Sequence, residues 1–424
     1  MRQVAAKLAP RPPDLETAVG AVLDLRLQPV SPRPVAVAIS GGGDSLALLL
    51  AADAWARRAG RSLLVLTVDH ALRPESAGWS AACAAAAARL GWPFRSLAWI
   101  GEKPTTGLPA AARHARHALL ADAAREGGAR VILIGHTADD VLEARRMRAG
   151  GSTTPEPRVW SPSPAWPQGR GVFLLRPLLS LSRADLRAWL AARGETWIED
   201  PANGDLRYAR ARARQESGAI AGPPVGVSAA ALAQATIAEP GGGLSVSREA
   251  LRDADPEAAR RFVAAACLCA SGTSRPPAAL RADRLTRALI DRHKVVATLA
   301  GARIEADVRD VRFLREAGEA ARGGLAPLQL GAGETGVWDG RFEIAADGAI
   351  EIRRLAGHAA RLSRSEQAAL RALPATARPG LPLVIGPEGA VACPIVAPAP
   401  WVRLVALAHD RLLGACGAVE CEPA

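Results

Sequence analysis

Residues 35–49 constrain the fold of this chain most, because they run from a short apolar strand through three glycines into an apolar helix. Gly41, Gly42 and Gly43 let backbone amides approach an anion without obstruction by a Cβ atom. The following helix directs its free N–H groups and the positive end of its dipole to the same point. The segment therefore predicts a phosphate-binding loop, although a glycine turn that merely joins a strand to a helix is the simpler alternative.

The residues around the glycines narrow the type of loop. Ser40 and Ser45 add hydroxyl donors, and the Asp44 carboxylate is placed to hold a Mg²⁺ ion between phosphates. A kinase-type loop is excluded, because no Gly-Lys-Ser/Thr follows the glycines, and the loop contains no Gly-x-Gly-x-x-Gly. The remaining Ser-Gly-Gly-x-Asp-Ser pattern resembles the PP-loop of ATP pyrophosphatases. Those enzymes cleave ATP between its α and β phosphates and pass AMP to a carbonyl oxygen.

Composition limits the class of protein. At 424 residues the chain is too long for one ordinary core, so two or three domains are expected. The net charge of +11 comes mainly from arginine and fits a polyanionic partner, although base bias in a genome also produces an alanine- and arginine-rich chain. Aromatic residues make up only 4% of the chain, which argues against a broad base-stacking sheet.

Cysteine spacing and hydropathy indicate a cytoplasmic protein. None of the six cysteines forms a C-x-x-C pair, so zinc-ribbon, iron–sulfur and dithiol redox proteins lose support. Residues 1–13 have no apolar segment of the kind found in a signal peptide, and no apolar run is long enough to span a membrane. We therefore expect reduced thiols and no membrane association.

Strands and helices alternate from residue 35 to about residue 147, which predicts an α/β fold with a doubly wound parallel sheet. The predicted strands are 35–39, 63–68, about 94–100 and 131–134, and the predicted helices begin at Asp44, Ser76, Leu108 and Ala138. Ligands of such folds bind at the carboxyl ends of the strands. The glycine loop, Asp69-His70 and the segment 135–140 all fall at those ends.

Three domains are predicted. Residues 1–217 form the catalytic domain, 218–325 a mainly helical domain, and 326–424 a small domain with β structure. Within the first, a Pro-, Ser- and Gly-rich loop is expected over 150–171, a length typical of a lid, a binding loop or a disordered segment. Ser182 is the predicted N-cap of the helix that follows it.

The densest group of candidate catalytic residues is His136, Asp139, Asp140 and Glu143. Asp139 and Glu143 are four residues apart at the start of a predicted helix, so they share one face. Carboxylates at a helix N-terminus also stabilise the helix itself. At a strand end that faces a phosphate loop, such a cluster favours binding of Mg²⁺ or of a cationic amine.

Other polar residues are candidates for ATP or RNA contacts. Asp69 and His70 follow the second strand. They are candidates for contacts with the ribose or adenine of ATP, and the alternative is that they are polar residues at the start of a helix. Guanidinium groups bind phosphate oxygens in pairs, so Arg113, Arg207 and Arg210 are candidates for pyrophosphate or for an RNA backbone. A solvated helix face explains the neighbouring arginines equally well; these are Arg116, Arg212 and Arg214.

Four segments after the glycine loop carry a family resemblance. They are 68–76 (VDHALRPES), 135–143 (GHTADDVLE), 175–178 (LRPL) and 199–203 (EDPAN). In this order they resemble the tRNA(Ile)-lysidine synthases over roughly residues 30–216. The segment 337–342 (VWDGRF) is similar to some members.

The resemblance implies a two-step reaction that uses ATP and Mg²⁺. ATP would adenylate the C2 oxygen of the wobble cytidine in an isoleucine tRNA with a CAU anticodon, and free lysine would then replace AMP through its ε-amine. The glycine loop and Asp44 would stabilise pyrophosphate, and the acidic cluster would attract the lysine ammonium. The implied catalytic residues are Asp44, Arg113, His136, Asp139, Asp140 and Glu143. Separately, the basic charge balance of the C-terminal half predicts a tRNA contact in 326–424.

The chain also departs from the family pattern, and other functions stay open. Thr137 replaces a common second histidine, and Val141 and Ala144 replace polar residues beside Glu143, which affects lysine binding more than ATP activation. The alternatives are another PP-loop enzyme, such as a tRNA thiolase or an amidotransferase-type synthetase, and a non-catalytic RNA-binding protein. The last would show no ATP–pyrophosphate exchange.

Overall fold

The computed structural model describes residues 14–71, 75–149, 156–199, 227–386 and 389–424. The chain divides into two compact units, Met1–Ala221 together with Glu420–Ala424, and Gly222–Val419. The predicted boundary at residue 217 lies outside the described residues, and a further division at residue 325 stays a prediction. In the described part of the chain, no helix is long and apolar enough to cross a membrane.

The first unit contains a six-stranded sheet with the order β3-β2-β1-β4-β6-β5. Its strands are β1 (Val35–Ala38), β2 (Leu63–Asp69), β3 (Phe94–Ala98), β4 (Val131–Ile134), β5 (Trp160–Pro162) and β6 (Phe173–Leu175). All neighbours are parallel except β5, which pairs antiparallel with β6. The parallel strands β1 and β4 are apolar throughout, as expected for strands covered on both faces.

Helices cover both faces of this sheet. They are α1 (Leu15–Arg26), α2 (Gly43–Ala59), α3 (Ser76–Leu90), α4 (Leu108–Glu126), α5 (Ala138–Ala149) and α6 (Arg183–Ala192). Successive strand residues point to opposite faces, so Val37 packs in one buried cluster with α2, while Ala36 packs in another with α4. The doubly wound α/β fold is therefore confirmed.

The prediction of a loop over 150–171 was wrong for Trp160–Pro162, which form β5. The Trp160 ring stacks on Phe173 of β6 with 4.9 Å between the ring centroids. This packing holds a proline-containing segment as an edge strand, the position in which proline is tolerated. The predicted N-cap is confirmed, because the Asp185 N–H donates to the Ser182 hydroxyl at 3.1 Å.

The second unit combines helices with three antiparallel sheets. Its helices are α7 (Ala229–Gln234), α8 (Arg248–Arg252), α9 (Pro256–Ser271), α10 (Ala279–Asp291), α11 (Arg364–Leu370) and α12 (Ala408–Cys416). A five-stranded sheet contains Ile237–Ala238, Leu244–Ser247, Val295–Leu299, Ala302–Ala306 and Asp310–Arg315. A four-stranded sheet contains Leu328–Leu330, Ile350–Arg354, Pro382–Ile385 and Val391–Ala392, and a three-stranded sheet Thr335–Trp338, Phe342–Ala346 and Val402–Ala406.

The prediction of a mainly helical segment over 218–325 omitted the five-stranded sheet. Ala302–Ala306 consists largely of residues that favour helices, and it becomes a strand through its pairing with strands on both sides. β structure beyond residue 326 is confirmed. The tRNA contact predicted for that part of the chain stays a prediction.

Candidate active site

The glycine loop lies at the carboxyl end of β1 and leads directly into α2. Gly41 has a φ of +81°, which only glycine adopts readily, and Gly42 is an extended N-cap with no side-chain cap on the helix. The Ser45 hydroxyl donates to the Gly42 carbonyl at 2.8 Å and accepts the Ser40 N–H at 3.1 Å. Ser45 therefore fixes the loop, while the backbone amides at the start of α2 suit an anion.

The segment around Ile198 packs closely on this loop, which explains why two loop positions must be glycine. The Ile198 N–H donates to the Gly41 carbonyl at 2.9 Å. A Cβ atom on Gly41 would lie 2.6 Å from Ile198 Cδ1, and one on Gly43 would lie 3.3 Å from the Trp197 ring. The residues before the Glu-Asp-Pro-Ala-Asn motif thus contact the phosphate loop, a pairing that the sequence did not predict.

Four carboxylates converge on Arg183, the first residue of α6. Its Nε lies 2.9 Å from Asp44 Oδ2, its Nη1 3.5 Å from Glu143 Oε1, and its Nη2 3.6 Å from Asp140 Oδ2. Its backbone N–H donates to Asp139 Oδ2 at 2.8 Å. The structure therefore brings the predicted acidic cluster of α5 together with Asp44 of the glycine loop, and it adds a cation that the sequence did not predict.

The start of α5 reaches α2 because of a glycine. A Cβ atom on Gly135 would lie 3.2 Å from the Asp44 carbonyl oxygen, so a larger residue would separate the two helix starts. Asp140 Oδ2 also accepts the Thr137 N–H at 2.9 Å and the Thr137 hydroxyl at 3.0 Å. The helix-stabilising role considered for this carboxylate is therefore real, alongside its contact with Arg183.

Burial and charge act in opposite directions within this acidic cluster. Burial raises the pKa of Asp44, while the hydrogen bond from Arg183 and its positive charge oppose that rise. Burial lowers the pKa of Arg183, but Asp44, Asp140 and Glu143 outweigh burial and raise the pKa overall. A permanent guanidinium cation therefore lies among the carboxylates.

A second, basic group surrounds Arg176. This side chain is buried, and its Nε donates to His136 Nδ1 at 3.0 Å while its Nη1 donates to the Ser161 hydroxyl at 3.0 Å. Because Nδ1 of His136 accepts this bond, the neutral imidazole carries its proton on Nε2. Burial, followed by the charges of Arg113 and Arg116, lowers the pKa of Arg176 to about 10. Positive charge concentrated in this way is suited to an anionic ligand.

His117 lies in the same basic region and is 3% exposed. Neither of its ring nitrogens has a hydrogen-bond partner among the described residues. Burial, followed by the charges of Arg116, Arg113 and Arg176, lowers the pKa of His117 to about 2. The imidazole is therefore neutral at physiological pH. Nothing in the spacing of the α4 residues distinguishes this histidine from its exposed neighbour His114.

We expect His117 to make the protein less stable in acid. Its pKa is about 6.5 in the unfolded chain and far lower in the folded one, so the unfolded state takes up a proton that the folded state does not as the pH falls below about 6.5. Between pH 7.5 and 5.5, His117→Phe should lose about 1 kcal/mol less of its free energy of unfolding than the wild-type chain. Urea unfolding at both pH values measures this difference.

His114→Phe is the matched control, because His114 is an exposed histidine on the same helix. It should keep the wild-type dependence on pH. Equal losses in the wild-type chain and in His117→Phe would contradict the expectation.

Asp69 and His70 lie at the end of β2, the strand beside β1. Asp69 Oδ1 accepts the Ala71 N–H at 2.7 Å, and the His70 ring meets Trp99 edge-on with 6.1 Å between centroids. Burial, and then the charge of Arg116, lowers the pKa of His70. Their contact with ATP stays a prediction. Arg207 and Arg210 lie outside the described residues.

Magnesium was predicted at Asp44. Across the described ranges, no group of three or more His, Cys, Asp or Glu side chains is arranged to hold a metal ion. Mg²⁺, however, is commonly held by one or two carboxylates while phosphates and water supply the other ligands. One carboxylate beside a phosphate loop therefore fits that ion.

The parallel sheet, the glycine loop after β1 and the acidic residues after β4 together define an ATP pyrophosphatase of the PP-loop class. Residues 15–218 match the family model described as a PP-loop domain.

Three curated relatives narrow this class. The tRNA(Ile)-lysidine synthase of Caulobacter vibrioides is 49% identical over 379 residues, which cover 88% of this chain and 88% of that protein. The tRNA(Ile)-lysidine synthase of Rhizobium meliloti is 36% identical over 75% of this chain and 74% of that protein. The tRNA(Ile)-lysidine synthase of Mesorhizobium japonicum is 35% identical over 82% of this chain and 80% of that protein. The chain belongs to the tRNA(Ile)-lysidine synthase family, which confirms the resemblance carried by its motifs.

Proposed function

We propose that this protein ligates free lysine to C2 of the wobble cytidine in an isoleucine tRNA with a CAU anticodon. One observation carries the proposal: Asp44 belongs both to the phosphate loop and to the acidic cluster. A site for a nucleoside triphosphate and a site for a cationic amine therefore adjoin each other. The names of the relatives support tRNA(Ile) and lysine as the substrates.

In the first step, the C2 oxygen of the cytosine attacks the α-phosphorus of ATP, and the bond to the β-phosphate breaks. Backbone amides of the glycine loop and the start of α2 bind the departing pyrophosphate. The charges of Arg113 and Arg176 lie close enough to influence each other and add positive potential for the phosphates. Asp44 would hold Mg²⁺, which neutralises phosphate charge when it is bound.

In the second step, the lysine ε-amine attacks C2 and the bond to AMP breaks. The amine must lose protons to form the new carbon–nitrogen bond, so the ammonium needs both a binding site and a proton acceptor. Glu143 and Asp140 provide carboxylates that already bind a cation in this structure, the Arg183 guanidinium. His136, in the loop before α5, accepts the Arg176 Nε–H through Nδ1, which fixes the orientation of its own Nε2–H.

The test is transfer of labelled lysine to an isoleucine tRNA transcript with a CAU anticodon, in the presence of ATP and Mg²⁺. A methionine tRNA, which shares that anticodon, is the control. We expect incorporation only into the isoleucine transcript. Release of AMP or pyrophosphate without lysine transfer would retain the PP-loop chemistry and overturn the choice of second substrate.

A further inference from the structure

The acidic cluster proposed to receive Mg²⁺ and lysine already contacts a cation. The guanidinium of Arg183 lies within 4 Å of three carboxylates, those of Asp44, Glu143 and Asp140. The side chains of Arg183 and Asp44 are 20% and 23% exposed, and that of Glu143 is 3% exposed. These contacts are therefore shielded from water, and each is stronger than a comparable pair on the surface.

Because the contacts overlap, the cations must compete. Asp44 Oδ2 accepts the Nε–H of Arg183 at 2.9 Å, so the same oxygen is less available to a metal ion. The lysine ammonium would approach Glu143 and Asp140, which also face this guanidinium. Neither incoming cation reaches its carboxylates in full unless Arg183 gives up part of its contacts.

Arg183 also affects how the acidic cluster interacts with the phosphates of an incoming nucleotide. Carboxylates grouped beside a phosphate loop repel the triphosphate of ATP, and a guanidinium among them reduces that repulsion. Loss of the guanidinium would therefore have opposite effects on two ligands. The cluster would attract a metal ion more strongly and would repel metal-free nucleotide more strongly.

The backbone around Arg183 is fixed, so only its side chain is placed to move. The Arg183 N–H donates to Asp139 Oδ2 at 2.8 Å, and the Ala138 N–H donates to the Leu181 carbonyl at 2.9 Å. The Ser182 hydroxyl caps the same helix end. A long side chain on an anchored helix start can leave Asp44 without displacing α6 from α5.

We propose that Arg183 is a positioning residue that holds the place of the incoming cations. It keeps the Asp44, Asp140 and Glu143 carboxylates together and compatible with bound nucleotide, and it releases Asp44 when the metal binds. This inference rests on the proposed function, because it assigns Asp44 to the metal.

Two titrations of the full chain test the proposal in the absence of tRNA and lysine. Electron paramagnetic resonance follows the binding of Mn²⁺ alone, and calorimetry follows α,β-methylene-ATP in the presence of EDTA. Arg183→Gln should bind Mn²⁺ about tenfold more tightly and the metal-free nucleotide about tenfold more weakly, a typical size for coupling between neighbouring sites. A purely structural role would weaken both affinities, and that result, or an unchanged Mn²⁺ affinity, would overturn the proposal.

Arg193→Gln is the matched control at the C-terminal end of α6. Its guanidinium pairs with Glu16 at 2.7 Å, so both affinities should stay within about twofold of wild type. Should Arg183→Gln fail to fold, Arg183→Lys replaces it, since a single ammonium cannot span three carboxylates and should raise Mn²⁺ affinity about threefold. Asp44→Asn separates the two ideas. If Asp44→Asn binds Mn²⁺ as tightly as wild type, both the metal role of Asp44 and the role of Arg183 are wrong. If Asp44→Asn weakens Mn²⁺ binding but Arg183→Gln leaves it unchanged, only the role of Arg183 is wrong.

Discussion

Replacing Asp44 by asparagine is expected to lower tRNA-dependent ATP–pyrophosphate exchange by about a thousandfold, the size of effect seen when a group that stabilises transition-state charge is removed. Asparagine keeps the shape of the side chain but loses the negative charge that would hold Mg²⁺ beside the glycine loop. It also replaces the charged acceptor at 2.9 Å from Arg183 Nε by a neutral amide. Exchange measured with saturating tRNA and ATP isolates this first step from lysine transfer.

Asp53→Asn provides a control on the same helix. Asp53 Oδ1 accepts hydrogen bonds from Arg57 Nε at 2.9 Å and from Trp92 Nε1 at 2.7 Å, so it has structural partners away from the glycine loop. This variant should keep its exchange rate within about threefold of wild type, since it touches no reacting group. Normal exchange in Asp44→Asn would remove Asp44 from the adenylation step.

The first unit was predictable from sequence because local signals agreed there with the tertiary fold. The apolar strands 35–38 and 131–134 adjoin α2 and α4, which end at Gly60 and Gly127, and no competing periodicity interrupts them. The later sheets were harder to predict. Ala302–Ala306 contains helix-favouring residues, and only pairing with distant strands makes it a strand.

The candidate site likewise has a part that the sequence predicted and a part that only the fold reveals. Asp139, Asp140 and Glu143 were identified together because they are close in sequence and share a helix start. Arg183 and Asp44 are 139 positions apart, so no local pattern could reveal that they bind each other. The pair of buried Arg176 and partly buried His136 likewise forms only when β6 and the loop after β4 meet in the folded sheet.

Replacing Glu143 by glutamine is expected to raise the KM for lysine about a hundredfold and to leave ATP–pyrophosphate exchange nearly unchanged, since a buried charge partner contributes about 3 kcal/mol to binding. Glu143 is 3% exposed and already contacts a guanidinium, which shows that its position suits a cation. An amide offers the ammonium no neutralising charge. Lysine transfer to adenylated tRNA, measured over a lysine series, gives both kcat and KM.

Glu126→Gln is the matched control, because Glu126 is largely exposed and pairs with Arg95 at 3.3 Å on the surface of the same unit. It should change neither KM nor exchange. An unchanged lysine requirement in Glu143→Gln would contradict the assignment, and a loss of exchange would place Glu143 in the first step with Asp44. Asp44 and Glu143 bind the same guanidinium. If Asp44→Asn loses exchange while Glu143→Gln loses only lysine affinity, one acidic cluster serves both steps, with Asp44 acting in adenylation and Glu143 in lysine transfer.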